Sequence, residues 1–138
     1  IVSTVDRDGY KENIRATRKY TTDKPVILLI NKGSASASEI FSGAMKDNNR
    51  ALIVGEGSFG KGLVQEVNTL MGGAGMNITI QKYLTPNGTD INKKGIQPDV
   101  VVELTEEDVK NKNDKQLAKA QELLLQMIKY SCANKAQL

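Results

Sequence analysis

The sequence predicts an α/β or α+β domain built on one sheet. Two continuous apolar runs, Val26-Ile27-Leu28-Leu29-Ile30 and Ala51-Leu52-Ile53-Val54, read as strands buried on both faces, as in a parallel sheet. Between them, Ala37, Ile40, Phe41, Ala44 and Met45 recur at helical spacing. At 138 residues, with 39% hydrophobic and 25% charged residues, the chain is long and apolar enough to bury a core.

Ile1 to Asp6 alternates apolar and polar residues, Asp8-Gly9 is a turn signal, and Tyr10 to Ala16 reads as the returning strand of a hairpin. Lys24-Pro25 marks a boundary, because the residue before proline is pushed from helical dihedrals. The Val26–Ile30 strand follows. Ser36 with Glu39 matches a capping box, which starts the first helix at Ser36 and lets it run to about Asn48. Next come the second buried strand and a glycine-rich stretch, Gly55 to Gly62.

Leu63 to Val67 has mixed character and favours no state. Met71 to Gly75 reads as a loop, Met76 to Leu84 as a strand and Pro86-Asn87-Gly88 as a turn. Asp90 to Pro98 is a loop and Val100 to Val102 a short strand. Asn113 or Asp114 can cap a last helix running to about Tyr130, with Leu117, Ala120, Leu124 and Ile128 as its packing stripe. Ser131 to Leu138 reads as a polar, frayed end. No internal repeat is detectable.

Composition excludes several classes. The 19 basic and 16 acidic residues are interspersed, and two Phe, four Tyr and no Trp give little material for base stacking, so no nucleic-acid partner is expected. No apolar run approaches the roughly 20 residues of a membrane span. One cysteine, Cys132, and no histidine make a zinc site improbable, and no metal or organic cofactor is expected. No targeting segment is recognisable at Ile1, and the chain reads as part of something longer.

The absence of histidine also limits the chemistry. A Ser-His-Asp triad would lack its base. A lysine can serve instead if burial leaves it partly neutral, against an ordinary pKa of about 10.4. Lys61 lies 25 residues after Ser36, across what reads as one helix and one strand, so the two can meet. Ser34, Ser36 and Ser38 compete as nucleophile. Ser36 stands where a buried strand turns into a helix, and there the amide of Ala37 can stabilise an oxyanion. The plainer reading makes Ser36 an N-cap, worth about 1 kcal/mol. Lys61, between Gly60 and Gly62, is in the plainer reading a solvated loop lysine. Gln65 can hydrogen-bond the lysine amine. A rival use of Gly55-Glu56-Gly57-Ser58-Phe59-Gly60-Lys61-Gly62 is a phosphate-binding P-loop, although Gly62 replaces the hydroxyl that would ligate Mg²⁺.

Taken together, Gly33-Ser34-Ala35-Ser36-Ala37-Ser38-Glu39-Ile40, Arg50-Ala51, Val54-Gly55-Glu56, Phe59-Gly60-Lys61-Gly62 and Val64-Gln65 resemble segments of the C-terminal processing peptidases, the tail-specific proteases of serine peptidase family S41. Tyr83-Leu84-Thr85-Pro86-Asn87-Gly88, Ile91 and Gly95-Ile96-Gln97-Pro98-Asp99-Val100 extend the resemblance in the family's order, over roughly residues 1 to 125.

The resemblance implies a ClpP/crotonase-like α/β core, with a central sheet flanked by helices, of which residues 1–138 form the C-terminal part. It implies Ser36 as nucleophile, Lys61 as general base and Gln65 as the residue orienting Lys61. Asp47 would be structural, tying its helix end to a basic group such as Arg50. The implied reaction is endoproteolysis of a polypeptide near its C-terminus through an acyl-enzyme. A PDZ domain that captures the substrate's C-terminal region, and an upstream glycine-rich oxyanion contributor, belong to the family and are not found in these residues, so this segment alone is expected to be weakly active or inactive. An extracytoplasmic location is implied, and a homo-oligomer is left open. The alternative class is a peptide-binding scaffold of protease-like fold without turnover.

Overall fold

The computed structural model describes residues 1–18 and 22–135, with side chains as far as Ser131. In chain order the elements are β1 (Val2–Asp6), β2 (Lys11–Ile14), β3 (Ile27–Ile30), α1 (Ala37–Asp47), β4 (Leu52–Gly55), β5 (Leu63–Thr69), β6 (Gly75–Leu84), β7 (Val100–Val101), α2 (Glu106–Lys110) and α3 (Lys115–Lys135).

The strands form two sheets, which corrects the expectation of one. An antiparallel sheet has the order β2-β1-β6-β5, and a parallel sheet has the order β3-β4-β7. The division follows the sequence pattern. The apolar runs β3 and β4 are joined through α1 and pair in parallel, Ile27 opposite Leu52 through Ile30 opposite Gly55. The mixed strands are joined by tight turns and pair antiparallel. Asp6 shapes the first turn, its Oδ1 accepting from the amides of Asp8 and Tyr10 at 3.0 and 2.8 Å. The undecided segment Leu63–Val67 is strand because β6 supplies its partner, with a bulge between Val64 and Gln65.

Ile30, Ile53, Ile91 and Ile96 form the core, with Leu28, Ala51 and Tyr83 packed against it. Each buried isoleucine contributes roughly 2–3 kcal/mol. Val54 of the middle strand is fully buried, but Leu29 of the neighbouring edge strand is 42% exposed, so β3 is not covered on both faces. Asp99 locks the parallel sheet: its amide donates to Ile53 O at 2.8 Å, its Oδ2 accepts from Ile53 N at 2.9 Å, and its Oδ1 pairs with Lys46 Nζ at 2.8 Å.

α1 begins and ends as expected but presents a different face. Glu39, Ser42 and Gly43 are buried, whereas Phe41 is exposed. Two contacts explain the rotation. Glu39 is drawn inward by hydrogen bonds, and Gly43 packs so tightly that a Cβ would stand 2.9 Å from Thr85 Cγ2. The expected tie from Asp47 to Arg50 is also corrected. Asp47 Oδ2 accepts from the amide of Asn87 at 2.8 Å, in the Pro86–Gly88 turn, while Arg50 Nη2 donates to Thr22 O.

α2 was not anticipated. Its signal is the capping box Thr105-Glu106-Glu107-Asp108, in which Asp108 N donates to Thr105 Oγ1 and Thr105 N to Asp108 Oδ2. Asp114, rather than Asn113, caps α3 by accepting from Leu117 N at 2.8 Å. α3 runs to Lys135, beyond the expected end at Tyr130, and packs on β3 and β4. Gln116 and Ala120 lie buried, Leu124 half-buried, and Leu117 and Ile128 outside. No helix among the described residues is long and apolar enough to cross a membrane.

Candidate active site

Ser36 follows the turn that leaves β3. Asn31 organises this turn, its Oδ1 accepting from Gly33 N at 2.9 Å and its carbonyl from Ser34 N at 2.9 Å. The hydroxyl of Ser34 is occupied, accepting from Asn31 N at 3.1 Å. Ser36 itself has φ 55° and ψ −115°. A residue with a Cβ rarely adopts these dihedrals, and holding it there costs about 1–3 kcal/mol. A sharp, strained strand-to-helix turn of this kind exposes a serine hydroxyl.

The capping role of Ser36 is carried by the main chain. Glu39 N donates to the Ser36 carbonyl at 2.8 Å, while Glu39 Oε2 accepts from Ser36 N at 2.9 Å. The Ser36 hydroxyl makes no cap hydrogen bond. Among the described residues it has no hydrogen-bond partner, although its side chain faces the Glu39 amide in the capping-box arrangement. The amide of Ala37, in the first turn of α1, has no acceptor among the described residues, as the first amides of a helix lack intrahelical partners.

Lys61 is brought to Ser36 by a residue read only as half of a cap. Glu39 is fully buried. Its Oε2 accepts from Lys61 N at 2.8 Å as well as from Ser36 N. The two amide nitrogens therefore lie within about 6 Å of each other. Its Oε1 accepts from Gly60 N at 2.6 Å and from the Ser58 hydroxyl. Ser58 Oγ in turn accepts from Ile96 N at 2.7 Å, and Phe59 N donates to Ser34 O at 2.9 Å. A buried carboxylate is tolerable because both of its oxygens are satisfied.

The loop is held from its other side by residues 91–93. Lys93 N donates to Gly60 O at 2.8 Å, and a Cβ on Gly62 would overlap the backbone of Asn92. Glycine at 62 is thus a requirement of close approach.

The side chains expected to act are less closely assembled. Lys61 is exposed, and neither its amine nor the Ser36 hydroxyl is in a hydrogen bond with the other. Gln65 is exposed on β5, where its Nε2 donates to Thr79 Oγ1 at 3.5 Å. An open groove of about 1020 Å³ beside α1, lined by Pro25, Phe41, Ala44, Met45 and Met127 among others, takes in neither Ser36 nor Lys61.

The P-loop reading is overturned. A P-loop opens a helix and turns its amides toward phosphate. Here Gly55–Gly62 leads into strand β5, and the amides of Gly60 and Lys61 are occupied by the carboxylate of Glu39. Among the described residues no group of three or more His, Cys, Asp or Glu is placed to hold a metal ion.

Sequence reasoning did not anticipate the joining role of Glu39 or that of Ser58. The available signal was a glutamate at the third helical position on what becomes the inward face. Its partners lie 19 to 22 residues away and cannot be read from local spacing.

The profile of peptidase family S41 matches residues 1–102. A carboxyl-terminal-processing protease of Synechocystis is 52% identical over 103 residues, 75% of this chain and 24% of that protein. The carboxy-terminal processing protease CtpB of Bacillus subtilis is 41% identical over 101 residues, 73% of this chain and 21% of that protein. Among solved structures, a photosystem II D1 C-terminal processing protease superposes with a TM-score of 0.62 at 42% identity, covering 74% of this chain and 27% of that one. The chain thus spans about a sixth to a quarter of the length of these curated relatives.

Proposed function

The chain belongs to peptidase family S41, and on that premise we propose that it carries the catalytic residues of a serine endopeptidase that cuts polypeptides near their C-terminus. Ser36 Oγ attacks the scissile carbonyl carbon and gives its proton to Lys61 Nζ, forming a tetrahedral oxyanion that the amide of Ala37 stabilises. The C–N bond breaks as Lys61 returns the proton to the leaving amine, which leaves an acyl-enzyme on Ser36. Water then attacks that ester, Lys61 takes its proton, and the Ser36 oxygen leaves and recovers one. Gln65 orients the lysine amine.

The observation that carries this reading is the conjunction at Ser36. A strained residue whose hydroxyl has no hydrogen-bond partner among the described residues stands at a helix start, and its amide shares one carboxylate oxygen with the amide of Lys61. Use of the Ser34 hydroxyl within its own turn supports Ser36 over that neighbour.

Residues 1–138 are, on this reading, the C-terminal part of the catalytic domain in a longer enzyme; that the chain spans about a sixth to a quarter of these relatives supports the longer enzyme. A lysine must lose water before it serves as a base near neutrality. Lys61 is exposed, so its covering is assigned to bound substrate and to the remainder of that enzyme, including a PDZ domain and the glycine-rich oxyanion contributor. The segment alone is then weakly active or inactive. An extracytoplasmic location is carried over with the family.

A fluorophosphonate probe followed by peptide mapping tests the nucleophile. Label on Ser36, lost in Ser36→Ala, is expected. Label on Ser34 or Ser38, or none in the longer enzyme, would overturn the assignment.

A further inference from the structure

We infer that Glu39 is a positioning residue that holds the Ser36 turn and the Lys61 loop together as one unit. The inference rests on the Ser36–Lys61 reading above and adds a residue that touches neither substrate nor the reacting atoms.

Nucleophile and base come from two segments that are separate in sequence. One is the first turn of α1, and the other is the loop that leads into β5. Among the described residues no main-chain ladder joins these segments at the site. Apart from one main-chain bond, Phe59 N to Ser34 O, they meet on one side chain. Oε2 of Glu39 takes the amides of Ser36 and Lys61, at 2.9 and 2.8 Å, and Oε1 takes the amide of Gly60, at 2.6 Å, with the Ser58 hydroxyl. Glu39 is itself fixed, since it lies at the third position of α1 and is fully buried.

The pattern demands a carboxylate. Both oxygens face donors, and only a carboxylate offers acceptors on both sides. A glutamine in the same place would turn its NH₂ toward either the Ser36 and Lys61 amides or the Gly60 amide, and one side of the clamp would face a donor. Aspartate is one methylene shorter and cannot reach from α1 to the loop without moving one of them. Ser58 extends the clamp, because its hydroxyl donates to Glu39 and accepts from Ile96 N, which ties residues 95–98 to the same carboxylate. The Phe59 amide on Ser34 O adds a second, main-chain link between the loop and the Ser36 turn.

Placement at this precision matters because proton transfer needs the Ser36 oxygen and the Lys61 amine within hydrogen-bond reach at the moment of attack. A residue acting through position lowers the rate of the bond-forming step and leaves affinity for the probe nearly unchanged.

The test uses Glu39→Gln, Ser58→Ala and Ser58→Thr, each checked for its folded circular dichroism and melting, with two readouts. In amide hydrogen exchange, the amides of Ser36, Gly60 and Lys61 are expected to lose protection together in Glu39→Gln, by tenfold or more, while those in the middle of α1 keep theirs. Loss confined to one segment, or no loss, overturns the clamp. In fluorophosphonate inactivation of the longer enzyme carrying residues 1–138, Glu39→Gln is expected to lower the first-order rate of Ser36 modification at least tenfold with the probe's binding constant within twofold. An unchanged rate overturns the positioning role.

If Glu39→Gln fails to fold, the serine pair decides. Ser58→Ala is expected to slow modification several-fold and Ser58→Thr to restore it, whereas equal rates in both overturn the inference. A wild-type longer enzyme that takes no label at Ser36 counts against the serine-nucleophile reading instead, and amide exchange still decides the clamp.

Discussion

Ser36 and Lys61, 25 residues apart in sequence, donate their main-chain amides to the same oxygen, Oε2 of Glu39, at 2.9 and 2.8 Å. The chain thereby fixes the relative position of two segments through a buried side chain and leaves the Ser36 hydroxyl and Lys61 amine without a hydrogen-bond partner among the described residues. Strain at Ser36 lies at this junction and crowding of Gly62 against Asn92 lies beside it, and each can be measured.

At Ser36, φ 55° with ψ −115° suits glycine and strains any residue with a Cβ. Ser36→Gly is expected to be more stable than Ser36→Ala by about 1 kcal/mol, the relief of strain less the entropy that glycine adds to the unfolded chain. Urea unfolding of the two variants measures the difference. Equal stability would mean that the turn relaxes freely.

Gly62 stands against the backbone of Asn92, whereas Gly73, in the turn between β5 and β6 with φ 82°, has nothing within 4 Å of the point where a Cβ would stand. Gly62→Ala is expected to cost about 2 kcal/mol or more, because backbone must move. Gly73→Ala is expected to cost only about 1 kcal/mol of dihedral strain. Urea midpoints check both, and equal losses would contradict the close packing of the two loops.

The Asp108 carboxyl is held well below its ordinary range, first by the Lys115 ammonium at 2.7 Å and then by the Thr105 hydroxyl and amide. The unfolded chain therefore takes up a proton at this group before the folded chain does as pH falls. The contribution of Asp108 to stability is whole at neutral pH and is lost progressively below about pH 4. The melting temperature of wild type should exceed that of Asp108→Asn at pH 7, and the gap should narrow between about pH 4 and pH 2. A gap constant across that range would contradict the assignment.

The elements with strong local signals were legible. The runs Val26–Ile30 and Ala51–Val54 match the paired strands Ile27–Ile30 and Leu52–Gly55, though β3 is not covered on both faces, and Ser36 with Glu39 marked the start of α1. What local pattern could not supply was pairing over distance. Leu63–Val67 becomes strand only because β6 lies beside it, and the division into two sheets depends on which strand each edge finds. The face of α1 was misjudged for the same reason. Apolar spacing favoured Phe41 and Met45, but the hydrogen bonds drawn by Glu39 and the fit of Gly43 against Thr85 turned a more polar face inward. At the site, Ser36 and Lys61 were legible as residue types in a plausible order, while the carboxylate joining them was not, since its loop partners lie 19 to 22 residues further on.

Joint cleavage of a peptide bond by Ser36 and Lys61 is the proposal on which the rest of the functional reading depends. Its most direct test is cleavage of an unfolded polypeptide by the longer enzyme carrying residues 1–138, as wild type, Ser36→Ala and Lys61→Ala, with melting curves confirming that each is folded. The expected result is cleavage by wild type alone. Cleavage that persists in folded Lys61→Ala, or a folded wild type that cuts nothing, would contradict the account.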